Sequence, residues 1–195
     1  MRDVVYMKID VFDFDGTLYK KDASKEFFLF CLNKKKMLIK YIPGILLNFL
    51  LYYLKLIKKE KLKEYYFKFL RDFSNIDEMV SLFWEQNKNL IRKELLENSK
   101  NEKVVISASP SFLIEDICLE IGIDTLIATD VDKKTGKFNS SNCYGEEKIK
   151  RLNEKYKDYK IDRFYSDSKS DLPLARIAKK PYFIIRDRVE EWNLE

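Results

Sequence analysis

The 195-residue chain contains no histidine. That absence removes Ser-His-Asp triads, His-Glu-x-x-His metal sites and phosphohistidine chemistry together. Any hydrolytic chemistry here has to run on carboxylates, lysine and hydroxyls, with or without a metal ion. Cysteine is scarce as well. Cys31, Cys118 and Cys143 are odd in number and show no Cys-x-x-Cys spacing, which fits a reduced cytoplasmic interior and offers no zinc site. Glycine and proline together number nine, too few for a disordered or low-complexity chain. An Arg-led leader ending in Ala-x-Ala is also lacking, and the first apolar run reads as a strand.

Apolar residues make up 46% of the chain, enough for a real core, and the length suits one core domain with a sizeable insertion. Charge is uneven. The formal total is +5, but residues 34–71 hold eleven Lys or Arg against Glu60 and Glu64, a local +9 that leaves about −4 elsewhere. Such asymmetry fits an anionic partner (membrane surface, nucleic acid or acidic substrate), and it equally fits a solvated basic face on a helical bundle.

From Tyr6 to Phe14 apolar residues alternate with polar or charged ones, which predicts a short strand. Gly16 breaks it, so Asp13 and Asp15 sit on the turn at its carboxyl end, where an open α/β sheet binds ligands. Two carboxylates at this spacing suit a divalent cation plus a proton-transfer step, although Asp-Gly is also an ordinary turn signal. From Asp22 to about Asn98 apolar residues recur at helical spacings, and Ser74-Asn75 before Asp77-Glu78 predicts a helix start.

Within that helical stretch, Tyr41 to Leu54 runs for fourteen residues without a charge, bracketed by Lys40 and Lys55. At ~1.5 Å per residue it reaches ~21 Å, short of a hydrocarbon core of ~30 Å. It is apolar nearly all round, so it wants burial on more than one face. Burial in a helical bundle, interfacial insertion into a membrane and a snorkelled crossing are the three available outcomes. The flanking Lys34, Lys35, Lys36 and Lys58, Lys59, Lys61, Lys63 favour attraction to anionic lipid.

A second strand, Lys103 to Ile106, ends at Ser107-Ala108-Ser109-Pro110, with Pro110 suited to the first turn of a helix reaching about Ile121. Thr125–Thr129 is a third strand, and Asp130 to Cys143 reads as a hairpin or flap centred on Gly136. Tyr144-Gly145-Glu146-Glu147-Lys148 opens a further helix. After a strand near Asp162–Tyr165 come Asp167 and Asp171, four residues apart across a turn, and Pro181 to Ile185 gives a last strand.

These segments, in this order, resemble the four motifs of the haloacid dehalogenase-like phosphatases, in their phosphoserine-phosphatase-like branch. Asp13-Phe14-Asp15-Gly16-Thr17-Leu18 is similar to the first, Ser107 to the second, Gly145-Glu146-Glu147-Lys148 to the third, and Ser166-Asp167 through Asp171 to the fourth. The resemblance implies an α/β fold: a Rossmann-like three-layer core with a parallel sheet (residues 1–20 and 101–195) and an all-helical cap domain (21–100) inserted between motifs one and two. It implies Asp13 as nucleophile, Asp15 as acid and base, and Ser107 and Lys148 on the phosphoryl oxygens. Mg²⁺ would rest on Asp13, Asp167 and the Asp15 carbonyl, with Asp171 as support or ligand. Thr17, Asp22, Ala108 and Ser109 would face substrate.

The motifs depart from phosphoserine phosphatases, with Gly16 where those carry Ser and Tyr165-Ser166-Asp167-Ser168 in place of a Gly-Asp-Gly pattern. Asp22 stands where they use a Glu for the substrate amine. Tyr-Ser-Asp-Ser-Lys-x-Asp, Ser-Pro in motif two and the basic, aliphatic cap segment look more like bacterial phosphatidylglycerophosphatase C. The expected activity is therefore a Mg²⁺-dependent phosphomonoester hydrolase working through an aspartyl phosphate, on a membrane-associated phosphate such as phosphatidylglycerophosphate. A soluble small-metabolite phosphatase and a phosphotransferase are the alternatives. The expected setting is cytoplasmic, peripheral at the inner face of the membrane through residues 34–71, with no nucleic-acid partner.

Overall fold

A computed structural model of the protein describes residues 6–97 and 99–194. The first strand, β1 (Met7–Phe12), has Ile9 and Val11 buried on one face and Asp10 and Phe12 on the other. A strand covered on both faces belongs in the middle of a sheet with helices on either side. Five more strands follow: β2 (Glu102–Pro110), β3 (Thr125–Thr129), β4 (Tyr159–Ser166), β5 (Lys180–Ile185) and β6 (Arg188–Glu191). Their order is β3-β2-β1-β4-β5-β6. The first five are parallel, with Val11 beside Val104 and Phe12 beside Tyr165.

The antiparallel edge strand β6 was not expected from the sequence. Its Arg-Val-Glu-Glu is exposed throughout, and it exists because a turn with Arg186 at φ 57° folds it back onto β5. Asp10, a charged residue in the middle of the sheet, is held by the Arg163 guanidinium at 2.6 Å and by Ser99 and Asn101. A buried carboxylate persists in such a place only when it is paired and hydrogen-bonded.

Between β1 and β2 the chain is helical: α1 (Ala23–Lys34), α2 (Ile42–Tyr53), α3 (Lys59–Tyr66) and α4 (Ile76–Asn87), with 3₁₀ turns after α1, α3 and α4. Asp22 caps α1 by accepting from the Lys25 N–H, and Asn75 caps α4 by accepting from that of Glu78. Phe27, Phe69, Phe83 and Trp84 form an aromatic core for these helices, and the Trp84 indole N–H donates to the Leu113 carbonyl at 2.6 Å.

Helix α2 departs from the expectation of burial on more than one face. Only Ile45 is buried, while Leu46, Leu47, Leu50, Tyr53 and Leu54 are 53–83% exposed. Its inner side is pressed close to α3, because a Cβ at Gly44 would fall 1.8 Å from the Tyr65 hydroxyl. Among the described residues no helix is long and apolar enough to cross a membrane, which sets aside the crossing.

Three further helices complete the layers: α5 (Ser111–Glu120), α6 (Glu146–Lys155) and α7 (Leu172–Ile177). α5 joins the helical insert on one face of the sheet, around Phe12, Phe14 and Val105. α6 and α7 cover the other, with Leu152 and Leu174 against Ile9, Val11 and Phe164. The result is a Rossmann-like three-layer α/β fold. Pro110 closes β2 as the N-cap residue of α5, one position earlier than the sequence implied. The loop around Gly136 reaches the insert through Arg71 to the Thr135 carbonyl and through an ion pair of Lys133 with Asp77.

Candidate active site

In this strand order the chain runs outward in both directions from β1, so the crevice beyond the carboxyl ends of β1 and β4 is the topological switch point. Asp13 and Asp15 leave β1 into that crevice, and Asp167 and Asp171 leave β4. The turn is tight for a specific reason. Gly16 has φ +70°, and a Cβ there would lie 1.9 Å from a carboxylate oxygen of Asp167. Glycine thus supplies the left-handed backbone and also the room for the second acid.

At the centre Lys148 donates from its ammonium to Asp13 Oδ1 at 2.8 Å and to Asp171 Oδ2 at 2.7 Å. It comes from the first turn of α6, set by Gly145 at φ 60°. All three side chains are buried. Burial works against the Lys148 charge, but Asp13 and Asp171 outweigh it and raise its pKa. Burial pushes the Asp13 carboxyl up, Lys148 pulls it down and Asp171 pushes it up again, with a net rise. Ser166 also donates to Asp171 Oδ2, at 2.8 Å. The other oxygen of Asp171 is buried with no hydrogen-bond partner.

Asp15 is held differently. Its Oδ1 accepts from the Ala23 N–H at 2.7 Å, at the start of α1, and its Oδ2 accepts from the Ser109 hydroxyl. Burial, reinforced by the charge of Asp22, brings its pKa up to about 6. Such a carboxyl is poised to give and take protons near neutrality.

Several sequence-assigned residues take other places. Thr17 is fully buried, and its hydroxyl accepts from the Asp167 N–H at 3.0 Å, so it ties the two acidic turns together instead of facing substrate. Ser109 orients Asp15. Asp22 lines the cleft but spends one oxygen capping α1. Ser107 is fully buried and accepts from the Ser109 N–H at 3.0 Å, while Ala108 lines the cleft.

Two residues at the site are not assigned to it from the sequence, and one of them, Lys63, falls among the lysines expected to meet lipid. Lys63, one lysine among many, reaches from α3 into the cleft and donates to the Ala108 carbonyl at 2.9 Å and to Asn142 Oδ1 at 3.0 Å. Burial, together with neighbouring Lys59, lowers its pKa to about 8. Arg92 is buried and donates to the carbonyls of Gly16 at 2.9 Å and Thr17 at 2.6 Å, and to that of Arg186. It pins the turn that carries Asp15 to the β5–β6 hairpin.

The cleft encloses about 820 Å³. Its floor is acidic and cationic (Asp13, Asp15, Lys148), and its wall from the insert sets Phe28, Leu29 and Phe49 beside Lys21, Lys25, Lys59 and Lys63.

A largely parallel, doubly covered sheet with a carboxylate pair and a buried lysine at its switch point forms a Rossmann-like site equipped for nucleophilic and acid–base chemistry without histidine. The chain belongs to the haloacid dehalogenase-like hydrolases, whose family model matches residues 11–176. It is 27% identical to the histidinol-phosphatase of Neisseria meningitidis serogroup C (strain 8013) over 206 residues, covering 91% of this chain and 90% of that protein. Its fold is similar to a protein of unknown function from Bordetella pertussis Tohama I, with TM-score 0.74, 18% identity, and 91% and 89% of the two chains covered. It is also similar to the phospho-aspartyl intermediate analogue of phosphoserine phosphatase, with TM-score 0.52, 18% identity, and 91% and 86% covered.

Proposed function

We propose that the protein is a Mg²⁺-dependent phosphomonoester hydrolase in which Asp13 is the nucleophile. The observation that carries this reading is the Asp13–Lys148–Asp171 cluster, with Asp15 held separately two residues on. Asp13 attacks phosphorus as the bond to the leaving oxygen breaks, and an aspartyl phosphate forms. Asp15 gives its proton to the departing alkoxide, then takes one from the water that hydrolyses the acyl phosphate. Lys148, which lines the cleft, stabilises an equatorial oxygen. The helical insert, residues 21–100, serves as a cap over a core of 1–20 and 101–195.

The residues present fit a magnesium ion. Among the described residues there is no cluster of three or more His, Cys, Asp or Glu side chains suited to a metal. Mg²⁺ asks for less: one or two carboxylates, with substrate oxygens and waters completing the shell. Asp13, Asp167 and the Asp15 carbonyl would hold it, and the unpartnered buried oxygen of Asp171 supports a role beside it. Bound there, the ion supplies charge neutralisation between the nucleophile and the phosphate dianion.

On the leaving-group side the apolar side chains of Phe28, Leu29 and Phe49 support an alcohol with an apolar part, such as a membrane phosphomonoester of the phosphatidylglycerophosphate type. Residues 34–71 would then meet an anionic membrane at its inner face. Asp22 lines the cleft and keeps one oxygen outside the helix cap, so a small amine-bearing phosphate is the alternative substrate. The test is release of inorganic phosphate from soluble and micellar phosphomonoesters with Mg²⁺, with EDTA, and with Asp13→Asn. Hydrolysis needs no acceptor alcohol, whereas a phosphotransferase does. Substantial EDTA-resistant turnover, or an active Asp13→Asn protein, overturns the mechanism.

A further inference from the structure

Helix α2 is apolar nearly all round, yet one of its faces is turned to water. Leu46, Leu47, Leu50, Tyr53 and Leu54 recur at the spacing of one helix face, and that face is the one turned outward. Just beyond the helix, Leu56 is 68% exposed. Apolar residues scattered singly on a surface need no explanation, but a contiguous stripe does. Its chemical surroundings identify what covers it. Between residues 34 and 59 the chain has seven lysines and no acid. Lys34 and Lys36 before the helix, and Lys55 and Lys58 after it, are exposed.

We propose that the outer face of α2 docks flat in the interface of an anionic bilayer. An apolar stripe flanked by lysines is the pattern of an interfacial helix, which buries its apolar side at the boundary of headgroups and acyl chains and keeps its cations among the anionic headgroups. A second copy of this chain is a poorer occupant. In a two-fold pairing the same patch meets itself, so lysine-bearing ends would face lysine-bearing ends. The docking also has a consequence for the cleft. Phe49 and Leu29 are half-exposed at its mouth and line it as well, so the docked helix places that mouth beside the lipid. This last point alone rests on the phosphatase reading; the docking does not.

The experiment is flotation with phosphatidylglycerol and phosphatidylcholine vesicles at low and physiological salt, alongside turnover of p-nitrophenyl phosphate. The protein is expected to float with phosphatidylglycerol and much less with phosphatidylcholine. Leu47→Asp with Leu50→Asp should weaken binding by roughly a hundredfold, and Lys55→Gln, Lys58→Gln, Lys61→Gln by about tenfold or more. Turnover of the soluble ester should stay within about twofold, because substitutions on an outer surface away from the reacting groups leave the site intact. Should the Asp variant fail to fold, Leu47→Trp provides an independent readout: its fluorescence should be quenched by brominated lipid. Asp13→Asn should still float, so docking and catalysis fail separately. No flotation of the unaltered protein, no quenching at position 47, or a lipid-independent dimer that buries α2 overturns the proposal.

Discussion

Replacing Lys148 with methionine strikes the site at its tightest point. Methionine keeps a long, flexible apolar stem but removes both charge-assisted contacts, at 2.8 Å to Asp13 and 2.7 Å to Asp171. Removing one partner of a buried ion pair costs about 3–5 kcal/mol, and the carboxyls can limit that cost only by taking up protons. Burial and Asp171 already push the Asp13 pKa upward, and Lys148 is the group pulling it down. Without the ammonium it rises further. The ionised nucleophile becomes a minor species at neutral pH, a tenfold loss for each unit of rise.

Without Lys148 a phosphoryl oxygen also goes unstabilised, which adds roughly 10²–10³. We expect turnover at pH 7 to fall by about 10³ or more, with part of it returning as pH rises. Stability should move the other way. A carboxyl whose folded pKa lies above its unfolded value is most compatible with folding at low pH, so the variant should melt lower as pH rises through that folded pKa. The assay is p-nitrophenyl phosphate turnover from acid to alkaline pH beside thermal unfolding over the same range. A variant within tenfold of the unaltered protein at pH 7, with an unshifted profile, refutes the assignment of Lys148.

Asp15, with its pKa near 6, should behave as an acid whose proton is lost as pH climbs past that value. Asp15→Asn is expected to slow alkyl phosphates by about 10²–10⁴ and p-nitrophenyl phosphate far less, because its leaving group needs little protonation. Equal losses on both esters would leave Asp15 only a positioning role. Lys63→Met should raise KM by about tenfold, the worth of one charge-assisted contact. It should also remove an alkaline limb near pH 8, where the lowered pKa of Lys63 places its loss of charge. An unchanged KM would confine Lys63 to holding α3 against Ala108 and Asn142.

The strands were legible because a buried strand must alternate or run apolar, and Thr125–Thr129 has the bounds the sequence implies. Asp13 and Asp15 were legible because Gly16 ends β1, and Gly145 announced the turn that aims Lys148. Helix caps at Asp22 and Asn75 follow local rules too, although the distance of Asp22 from Asp13 pointed to substrate instead. β6 was not legible, because its exposed Arg-Val-Glu-Glu has no apolar period and becomes a strand only by pairing with β5.

Local chemistry is written in neighbouring residues, so the sequence by itself determined the absence of histidine chemistry, the acidic turns and the helical insert. Partnerships across the chain are not. The contact of Lys63 with Ala108 spans 45 positions and that of Arg92 with Thr17 spans 75. Nothing around either residue marks it apart from other surface cations until folding removes water from it. The tertiary structure alone decided which serine orients Asp15, why Gly16 must lack a side chain, and which face of α2 points outward. A run that is apolar on every side has no local preference for its inner face. That choice falls to Gly44 and Tyr65, which press one side of α2 against α3 and leave its leucines facing out.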